Sequence, residues 1–550
     1  MMKMKILYLV SCLVTIGSCI PSNQNITVQT SQRQLPVLTN KEANEVLKIT
    51  IIKKDKLPAS IKKINISTQG TTSLEDIESV SVFYTGKEDQ FSSEIIFNDA
   101  KQAAELLVFE GDQALEQDTS HFWVSYKLKD NANLFNSVDA SCTLIITDSG
   151  RIAAVADSTS AAITQQLGVA VRQHMQDGLH TYRIPGLTTT TKGTLLASYD
   201  VRRDLRRDLQ GNIDIGISRS VDGGQRWEPM RIALDMGTWG GLPEKFNGVS
   251  DACLLTDINS GDVYVVGLWM HGVLDSNGKW IEGLTEDSTA WIHQWQGRGS
   301  QPGYGVKETS QFLIAKSEDD GVTWSDPVNI TRMGKREEWW LYAPGPGHGI
   351  VMEDGTLVFP TQGRNETGET FSNITFSSDQ GKTWESSNVA YTNTTESMLV
   401  QLDDGSLMLN MRDNRNRKNK SETNGRAIAV TNDMGKTWQE HETSHGALIE
   451  PVCMASLHKH EYSEDGAKKN VLFFSNPNSK NGRHHMTIKV SFDNGETWPE
   501  ENWLLLDEDR LRGGYSCITS VDEQTIGIIY ESSQADMTFQ KIPLKRLIGG

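Results

Sequence analysis

The chain has 550 residues, enough for two or three domains, or for one large repeat domain with a smaller one beside it. Its 53 Lys and Arg residues against 71 Asp and Glu residues give a formal net charge of −18 at pH 7. This acidic balance argues against nucleic acid as a partner, and any anionic ligand has to be captured by a local cluster of cations.

The first residues have the features of an export signal. Lysines at the start are followed by an apolar run and then by small residues that end at Cys19. The run is too short for a membrane span with the usual flanks, so residues 1–19 are predicted to be a signal peptide. The ending Ile16-Gly17-Ser18-Cys19 resembles a bacterial lipoprotein box, which predicts an exported protein with a lipid anchor at Cys19, periplasmic or on the outer surface. Ordinary cleavage and secretion are the alternative.

Cysteine spacing excludes two classes of protein. Beyond the signal the only cysteines are Cys142, Cys253, Cys453 and Cys517, widely spaced and without CxxC pairs. The chain is therefore neither a disulfide scaffold nor a thiolate zinc protein.

Two segments precede the main repeats. Residues 20–45 are polar and predict a linker that follows the signal. Residues 46–160 contain short alternating stretches such as VLKITII, SVSVFYTG and FWVSYKL, which predict a small β-sandwich.

One eight-residue pattern, S/T-x-D-x-G-x-x-W, occurs five times in residues 161–550. The copies are SVDGGQRW (220–227), SEDDGVTW (317–324), SSDQGKTW (377–384), TNDMGKTW (431–438) and SFDNGETW (491–498). In such a turn the Asp carboxylate accepts backbone N–H groups, Gly adopts a backbone angle that other residues resist, and Trp packs back. This is the Asp box, and its role is predicted to be structural. A unit of roughly 60 residues fits one four-stranded propeller blade.

A second pattern consists of six predicted β-hairpins, which indicate six blades whose strand ends gather on one central rim. In one of them the apolar alternation is interrupted at Asp403-Asp404-Gly405, and counting eight residues each way from Asp404 pairs Glu396 with Arg412. The predicted fold is therefore all-β, a six-bladed β-propeller over residues 161–550 preceded by the small β-sandwich.

Two further hairpins bring charged residues to the same rim. Across a turn at Lys192-Gly193 the count pairs Arg183 with Arg202, and across a turn near Glu523 it pairs Tyr515 with Glu531. Three hairpins that each end in such groups indicate a site on the rim.

These residues carry a resemblance to a known family. Tyr182-Arg183-Ile184-Pro185, followed by five Asp boxes, resembles the bacterial exo-sialidases (neuraminidases), six-bladed propellers that release terminal sialic acid. The likeness covers roughly residues 165–550 and includes the Glu396–Arg412 spacing and the sequence GYS at 514–516. Sialidases of this type often carry an accessory β domain, so the N-terminal sandwich is either carbohydrate-binding or a structural spacer.

The resemblance implies which residues hold the substrate. Arg183, Arg412 and Arg483 match the triad that grips the carboxylate of sialic acid, and Glu531 matches the carboxylate that holds Arg183 in place. Guanidinium groups suit this task because they form planar, charge-assisted hydrogen bonds that lysine cannot reproduce. Arg202 is also assigned to substrate binding. So is Asp251, which resembles an acceptor for the N-acetyl N–H, with a strand-end cap as the alternative.

The resemblance also implies the catalytic residues. Tyr515 matches the nucleophile, Glu396 its partner, and Asp208 the acid/base, with Asp204 as the alternative for that last role. A neutral phenol avoids the repulsion that a carboxylate nucleophile would meet at an anionic sugar, and sialidases are the glycosidases with a tyrosine nucleophile. Because a phenol with a pKa near 10 is a weak nucleophile at neutral pH, it needs a base beside it.

The predicted function is an exo-α-sialidase that acts on sialylated glycans with retention through a tyrosyl intermediate, and that uses no metal and no organic cofactor. A trans-sialidase or intramolecular trans-sialidase would use the same residues, and a non-catalytic sialic-acid-binding propeller is a third possibility. The segment from Thr238 to Tyr304, rich in Gly and Trp, is either an insertion that forms the aglycone side of the pocket or part of the core.

Overall fold

A computed structural model of the protein describes residues 25–152, 155–156, 163–296 and 298–549. The fold is all-β, with two sheets in an N-terminal sandwich and six sheets in a propeller, so the predicted fold class is confirmed. In this described part, no helix combines the length and the apolar character needed to cross a membrane. The predicted signal peptide with Cys19 lies outside the described residues.

The N-terminal strands occupy residues 26–156. They are β1 (Ile26–Ser31), β2 (Val37–Thr39), β3 (Asn44–Lys53), β4 (Ser60–Ser67), β5 (Ile77–Gly86), β6 (Ile96–Lys101), β7 (Leu106–Ala114), β8 (Thr119–Leu128), β9 (Ser137–Val138), β10 (Ser141–Thr147), β11 (Gly150–Ile152) and β12 (Val155–Ala156).

The propeller strands begin at residue 165. They are β13 (Gln165–Arg172), β14 (Thr181–Thr189), β15 (Leu195–Arg202), β16 (Ile213–Ser220), β17 (Arg231–Leu234), β18 (Val249–Thr256), β19 (Val263–Trp269), β20 (Gln311–Ser317), β21 (Val328–Asn329), β22 (Leu341–Pro344), β23 (Gly347–His348), β24 (Ile350–Val351), β25 (Leu357–Arg364), β26 (Thr370–Ser377), β27 (Glu385–Ser386), β28 (Tyr391–Thr392), β29 (Thr394–Gln401), β30 (Leu407–Asp413), β31 (Ala427–Thr431), β32 (Gln439–Glu440), β33 (Ser456–Glu464), β34 (Ala467–Pro477), β35 (His484–Ser491), β36 (Leu504–Arg510), β37 (Ser516–Asp522), β38 (Thr525–Tyr530) and β39 (Met537–Pro543).

Helical segments are short. The two α-helical turns are α1 (Thr331–Gly334) and α2 (Leu544–Ile548). Single 3₁₀ turns cover Leu74–Asp76, Gln176–Gly178, Trp239–Gly241, Glu244–Phe246, Asn414–Arg417 and Glu500–Asn502.

The sandwich consists of a sheet in the order β12-β1-β3-β8-β5-β6 and a second sheet in the order β11-β10-β4-β7. Ile49 and Val124 from the first sheet share one core with Ile64 and Phe109 from the second. Alternating strand residues supply this core, as expected for sheets with one buried face.

The predicted linker over residues 20–45 is wrong for the part that is described. Ile26 and Val28 are buried in β1, which pairs with β3 in the sandwich. Val37 and Leu38 are fully buried in β2, which pairs in parallel with β13 of the propeller. Strands of three to six residues need only two or three apolar side chains, so the polar average of the segment concealed them.

The propeller closes through its two chain ends. β13 precedes the first complete sheet in sequence but pairs antiparallel with β39, so the last sheet combines β37, β38 and β39 with β13. The first strand of each sheet contacts the first strand of the next, and β37 contacts β14 to complete the ring. Closure removes open sheet edges around the axis and holds the first strands in fixed mutual positions.

The Asp boxes lie between the third and fourth strands of five sheets, at the end of the axis away from the predicted site. In the first box Asp222 accepts hydrogen bonds from Ser220 Oγ (2.9 Å) and from the backbone N–H of Arg226 (2.9 Å), and Ser220 Oγ accepts one from Gly224 N–H (2.8 Å). The other four boxes repeat these bonds. The structural role predicted for the box is confirmed, because each carboxylate is engaged within its own turn.

Candidate active site

A cavity of about 600 Å³ opens on the propeller axis where the first strands begin. Eight of the nine predicted site residues line it, namely Arg183, Arg202, Asp208, Asp251, Glu396, Arg412, Arg483 and Tyr515. The ninth, Glu531, is fully buried and bonds to Arg183. The lining as a whole contains eight arginines and three carboxylates, so the cavity is a local excess of cations in an acidic chain.

The backbone departs from regular strand geometry where the first strands reach the cavity. The β14–β15 register is irregular between Arg183 and Gly186, and Ile184 has φ +63°. The β18–β19 register is irregular between Ser250 and Cys253, and Asp251 has φ +58°. A positive φ is costly for a β-branched residue, and such strain at strand bulges is concentrated at functional sites, where it re-aims side chains.

Tyr515 lies at the centre of the site, one residue before β37. Its hydroxyl donates a hydrogen bond to Glu396 Oε1 and accepts one from Arg412 Nη1 (2.9 Å). Arg412 Nη1 also bonds to Glu396 Oε2. Burial first, and then the charge of Glu396, raise the pKa of Tyr515 well above its ordinary value. The resting phenol is therefore protonated, with its proton directed at a carboxylate.

Arg183 is fixed by a buried counter-ion. Its Nε lies 2.5 Å from Glu531 Oε1, and Glu531 also accepts the backbone N–H groups of Ile184 (2.9 Å) and Tyr515 (3.0 Å). Burial raises the pKa of Glu531, but the Arg183 charge and these hydrogen bonds outweigh it, so the net pKa is lowered. One ionised carboxylate thus joins the first strand of one blade to the first strand of another.

Arg483 lacks such a partner among the described residues. Its guanidinium donates to the backbone carbonyls of Gly513 (2.6 Å) and Val452 (3.2 Å) and forms no ion pair there. The guanidinium carbons of Arg483 and Arg183 lie 5.4 Å and 5.7 Å from the centroid of the Tyr515 ring. With Arg412 on the hydroxyl, three guanidinium groups surround one phenol.

Asp208 lies in the loop between β15 and β16. Its carboxylate accepts the backbone N–H of Leu209 (2.8 Å) and lies 3.4 Å from Arg202 Nη2 and 3.7 Å from His293 Nε2. Burial raises its pKa, but Arg202 and His293 outweigh that effect, and the net pKa lies below its ordinary value. Asp208 is therefore ionised at neutral pH.

Asp200 was missed by the sequence reasoning. It is fully buried, accepts Arg202 Nη2 (2.9 Å) and receives the backbone N–H of Asp251 (3.1 Å). Burial, followed by the charges of Asp208 and Asp200, raises the pKa of Asp251 well above its usual range. The raised pKa favours the protonated form of Asp251, whose carbonyl oxygen can accept a hydrogen bond.

Counting outward from turns gave the correct partners in two hairpins and wrong ones in the third. Tyr515 and Glu531 are bonded neighbours, as are Glu396 and Arg412. Arg183, however, lies opposite Asp200, and Arg202 lies opposite Thr181. The pairs next to the turn, such as Thr189 with Leu195, are already displaced by one residue from the count, and the irregular register between Arg183 and Gly186 adds one more.

Arg364 also lines the cavity without having been predicted. It ends β25, and its guanidinium donates to the carbonyls of Gly368 (2.6 Å) and Trp295. Counting outward across the turn at Asp354-Gly355 would have brought Arg364 to the rim, since β25 follows that turn directly.

The segment from Thr238 to Tyr304 divides between the two roles considered for it. Trp291 and Trp295 line the cavity, and Arg207 packs on the Trp291 ring at 4.8 Å. Trp269 is buried in the core against Trp239. The segment therefore contributes to the site through Asp251 at its early end and through the stretch from Trp291 to Gln296.

Comparisons with known proteins agree with this geometry. A family model described as a BNR repeat-like domain matches residues 184–507, and one described as the N-terminal domain of BNR-repeat neuraminidase matches residues 23–151. A sialidase from Bacteroides fragilis (strain YCH46) is 38% identical, with 100% of both chains covered. A sialidase from Paraclostridium sordellii is 29% identical, with 64% of this chain and 81% of the relative covered.

Solved structures extend the likeness to three dimensions. The Hadza microbial sialidase Hz136 superposes with a TM-score of 0.83 at 35% identity, covering 94% of this chain and 100% of the other. The intramolecular trans-sialidase from Ruminococcus gnavus has a TM-score of 0.51 at 19% identity, covering 68% of this chain and 97% of the other, and shares the fold alone. The chain belongs to the BNR-repeat neuraminidases and is an exo-sialidase, a glycoside hydrolase of sialylated glycans.

Proposed function

We propose that this sialidase releases terminal sialic acid by double displacement through Tyr515, with retention of anomeric configuration. The observation that carries the proposal is the placement of one phenol between a carboxylate, Glu396, and three guanidinium groups. Sialidases are the glycosidases that use a tyrosine nucleophile, and the pair of roles is otherwise filled by two carboxylates.

Arg183, Arg412 and Arg483 bind the substrate carboxylate in this mechanism. Three clustered cations repel one another, and Glu531 and Glu396 offset two of the charges. Arg483 donates only to carbonyls within the described residues, which leaves its positive charge for the ligand. A bound anion therefore completes the charge balance of the site.

Glu396 acts as the base in the first step. As the Tyr515 oxygen attacks the anomeric carbon, Glu396 takes the phenolic proton through the hydrogen bond already present. Asp208 gives a proton to the glycosidic oxygen, and the bond to the leaving glycan breaks. A ketal bond between C2 of the sialyl group and the phenolic oxygen of Tyr515, an aryl glycoside, remains.

The second step reverses these transfers. Asp208 takes a proton from water, the resulting hydroxide attacks the anomeric carbon, and Tyr515 leaves and recovers its proton from Glu396. Asp208 must be protonated before the first step, although its surroundings in the protein lower its pKa. Substrate binding expels water from the cavity and brings a carboxylate to the neighbouring arginines, and both changes raise the Asp208 pKa.

A fluorinated sialosyl fluoride tests the mechanism. It accumulates the intermediate, and peptide mass spectrometry is expected to find one sialyl adduct on Tyr515. Proton NMR of the first product from sialyllactose is expected to show the α-anomer. A first product in the β-anomer, or an adduct on another residue, would remove Tyr515 from the role of nucleophile.

Transfer is the second candidate reaction. The Ruminococcus gnavus enzyme of the same fold is an intramolecular trans-sialidase, and the residues described serve either outcome. The same NMR experiment separates free sialic acid from an anhydro or transferred product. Free sialic acid is the expected product.

We also propose that the protein is exported and anchored through a lipid on Cys19. The support is the charged start, apolar run and Ile16-Gly17-Ser18-Cys19 ending of the sequence. Metabolic labelling with a fatty acid is expected to mark the wild-type protein and not a Cys19→Ala variant. A labelled Cys19→Ala protein, or unlabelled wild type in the culture medium, would favour ordinary secretion.

A further inference from the structure

A second cavity, of about 690 Å³, adjoins the active site and shares Arg183, Arg206 and Arg483 with it. We call this cavity the basic groove. Five of its nine lining residues are arginines, the other two being Arg510 and Arg512, and none is acidic. In a chain with a net charge of −18, such a concentration of guanidinium groups marks a surface for an anion.

The outer arginines of the groove have donors to spare. Arg510 ends β36, is exposed, and has no ion pair or side-chain hydrogen bond within the described residues. Arg206 is also exposed and donates to the backbone carbonyl of Arg512. Arg512 contacts Asp536 through one nitrogen at 3.4 Å, and its side chain is 44% exposed.

Nearby acidic residues are engaged elsewhere. Asp509, next to Arg510 in sequence, pairs with Arg33 at 2.7 Å. Asp507 is fully buried and accepts the backbone N–H of Ser533 at 2.7 Å. Two of the three acids that precede Arg510 along β36 are thus engaged elsewhere, and the third, Glu508, forms no ion pair with Arg510 within the described residues.

Arg206 connects the groove to the leaving-group side of the active site. It lies two residues before Asp208, in the loop that carries the proton donor of the proposed mechanism. Burial, followed by the positive charge of Arg183, lowers the pKa of Arg206, which reflects the crowding of like charges. Because Arg206 lines both cavities, it is the point at which the groove adjoins the loop that carries Asp208.

We propose that the basic groove binds a second anionic group, carried by the sugar to which the terminal sialic acid is attached. Glycans whose penultimate sugar carries a carboxylate, as in oligosialic acid, or a sulfate ester are then better substrates than glycans with a neutral penultimate sugar. The inference rests on the proposed function, because it assigns the groove to the leaving group of that reaction.

The test compares three substrates at low ionic strength: 3′-sialyllactose, its α2,8-disialyl homologue, and a sialyllactose with a sulfated penultimate sugar. The variant is Arg510→Glu, and the matched control is Arg226→Glu, an exposed arginine of the first Asp box that lines neither cavity. Arg510→Glu is expected to lower kcat/KM for an anionic aglycone by roughly tenfold or more and to leave sialyllactose turnover within about twofold, because charge-assisted bonds contribute at that scale.

The outcomes separate the possibilities. A selective loss on the disialyl substrate assigns the groove to a sugar carboxylate, and a selective loss only on the sulfated substrate assigns it to a sulfate ester. Equal effects on all three substrates, or an equal loss with Arg226→Glu, overturn the groove as an anion subsite. If the wild type does not hydrolyse sialyllactose at all, the proposed function fails instead.

The salt dependence of the wild-type enzyme is a second test, and it does not depend on whether a variant folds. The wild-type preference for an anionic aglycone is expected to shrink severalfold between about 0.02 M and 0.5 M salt, because exposed charges are screened over a few ångströms at high ionic strength. Arg512→Gln, which removes a different groove charge, is expected to weaken the preference in the same direction. A preference that is unchanged by salt contradicts the proposal.

Discussion

The two mouths of the propeller axis are nearly equal in size and differ in chemistry. The active-site mouth encloses about 600 Å³ and is lined by eight arginines and three carboxylates. The opposite mouth encloses about 560 Å³ and is lined by no arginine, and its one lysine, Lys459, pairs with Asp403 at 2.8 Å. Cavity volume therefore does not distinguish a catalytic mouth from a structural one. The concentration of positive charge does, because the opposite mouth is lined by four acidic residues and a single lysine.

The backbone differs between the mouths as well. At the active-site mouth β14 and β18 are irregular, with positive φ at Ile184 and Asp251. Toward the opposite mouth the same strands pair in regular register, at Leu187–Thr189 and Cys253–Thr256. Closure of the ring holds the strained segments in place, so the regular ends support the geometry of the irregular ones.

Buried polar groups in the two mouths also differ in charge. At the opposite mouth His458 Nε2 and His460 Nδ1 share the hydroxyl of Ser520 at 2.8 Å and 2.7 Å. Burial lowers the pKa of both histidines, so they are neutral at pH 7. Neutral groups that satisfy one another stabilise the fold, whereas the active-site arginines keep donors for a ligand.

Removal of the proposed nucleophile at the active-site mouth is expected to have the largest effect on turnover. Tyr515→Phe removes the hydroxyl between Glu396 and Arg412 and leaves the arginines in place. Turnover of sialyllactose is expected to fall on the order of 10⁴-fold, while binding of a sialoside stays measurable by calorimetry. Tyr264→Phe in β19 is the control and is expected to keep full turnover. Unchanged turnover in Tyr515→Phe would exclude the proposed nucleophile.

Asp208→Asn is expected to have the next largest effect. A lost general acid costs on the order of 10²- to 10³-fold for a poor leaving group such as lactose. The loss is expected to be much smaller for a sialoside with a nitrophenol leaving group, which departs without protonation. Asp204→Asn is the matched control, four residues earlier in the same loop. If Asp204→Asn shows the leaving-group dependence instead, the acid/base assignment moves to Asp204.

A smaller effect is expected at Gly513, which contacts the substrate-binding machinery without carrying a charge. A Cβ on Gly513 would overlap the Glu531 carboxylate and lie 2.7 Å from Arg183 Nε. Gly513→Ala is therefore expected to displace Arg183 and raise KM by roughly tenfold, since a charge-assisted contact of that order is lost. Gly446→Ala, where the nearest atom lies 3.5 Å from the added Cβ, is the control for kinetics and melting temperature. Equal KM values in the two variants would show that the added methyl group at Gly513 does not affect substrate binding.

Local signals in the sequence predicted the fold and much of the site, and the remainder depends on contacts between distant segments. The Asp boxes are complete within eight residues, and Glu396 and Arg412 flank one tight turn, so counting was sufficient for both. Arg483 was assigned by resemblance to known sialidases. The pairing of Arg183 with Asp200 depends on an irregular register that leaves no mark in the spacing.

The same limit explains the error in the linker. Arg33, in the segment predicted as a linker, bonds to Glu45 and to Asp509, 476 residues away. β2 completes the edge of a propeller sheet by pairing with β13, which begins more than 120 residues later. Short strands that are stabilised by distant partners contain too few residues for a hydrophobic periodicity to predict them.

A substitution at His348 is expected to have the smallest effect on activity. It provides the contrast with the substitutions at the active-site mouth. His348 is buried at the opposite mouth, with Nδ1 3.0 Å from the carbonyl of Gly349. His348→Gln is expected to leave kcat/KM for sialyllactose within about twofold. A larger loss would show that the opposite mouth is coupled to catalysis and would break the comparison.

Stability is where the His348 substitution is expected to act. Burial lowers the pKa of folded His348 below its unfolded value, so the unfolded chain binds more protons once the pH falls below about 6.5. The wild-type free energy of unfolding therefore falls on acidification, by up to about 1.4 kcal/mol per pH unit for one histidine, and this contribution is present in full above that pH. Denaturant titrations at about pH 7.5 and pH 5.5 measure the slope, and His348→Gln is expected to reduce it. An unchanged slope would mean that His348 binds protons equally in the folded and unfolded states. Burial would then not lower its pKa.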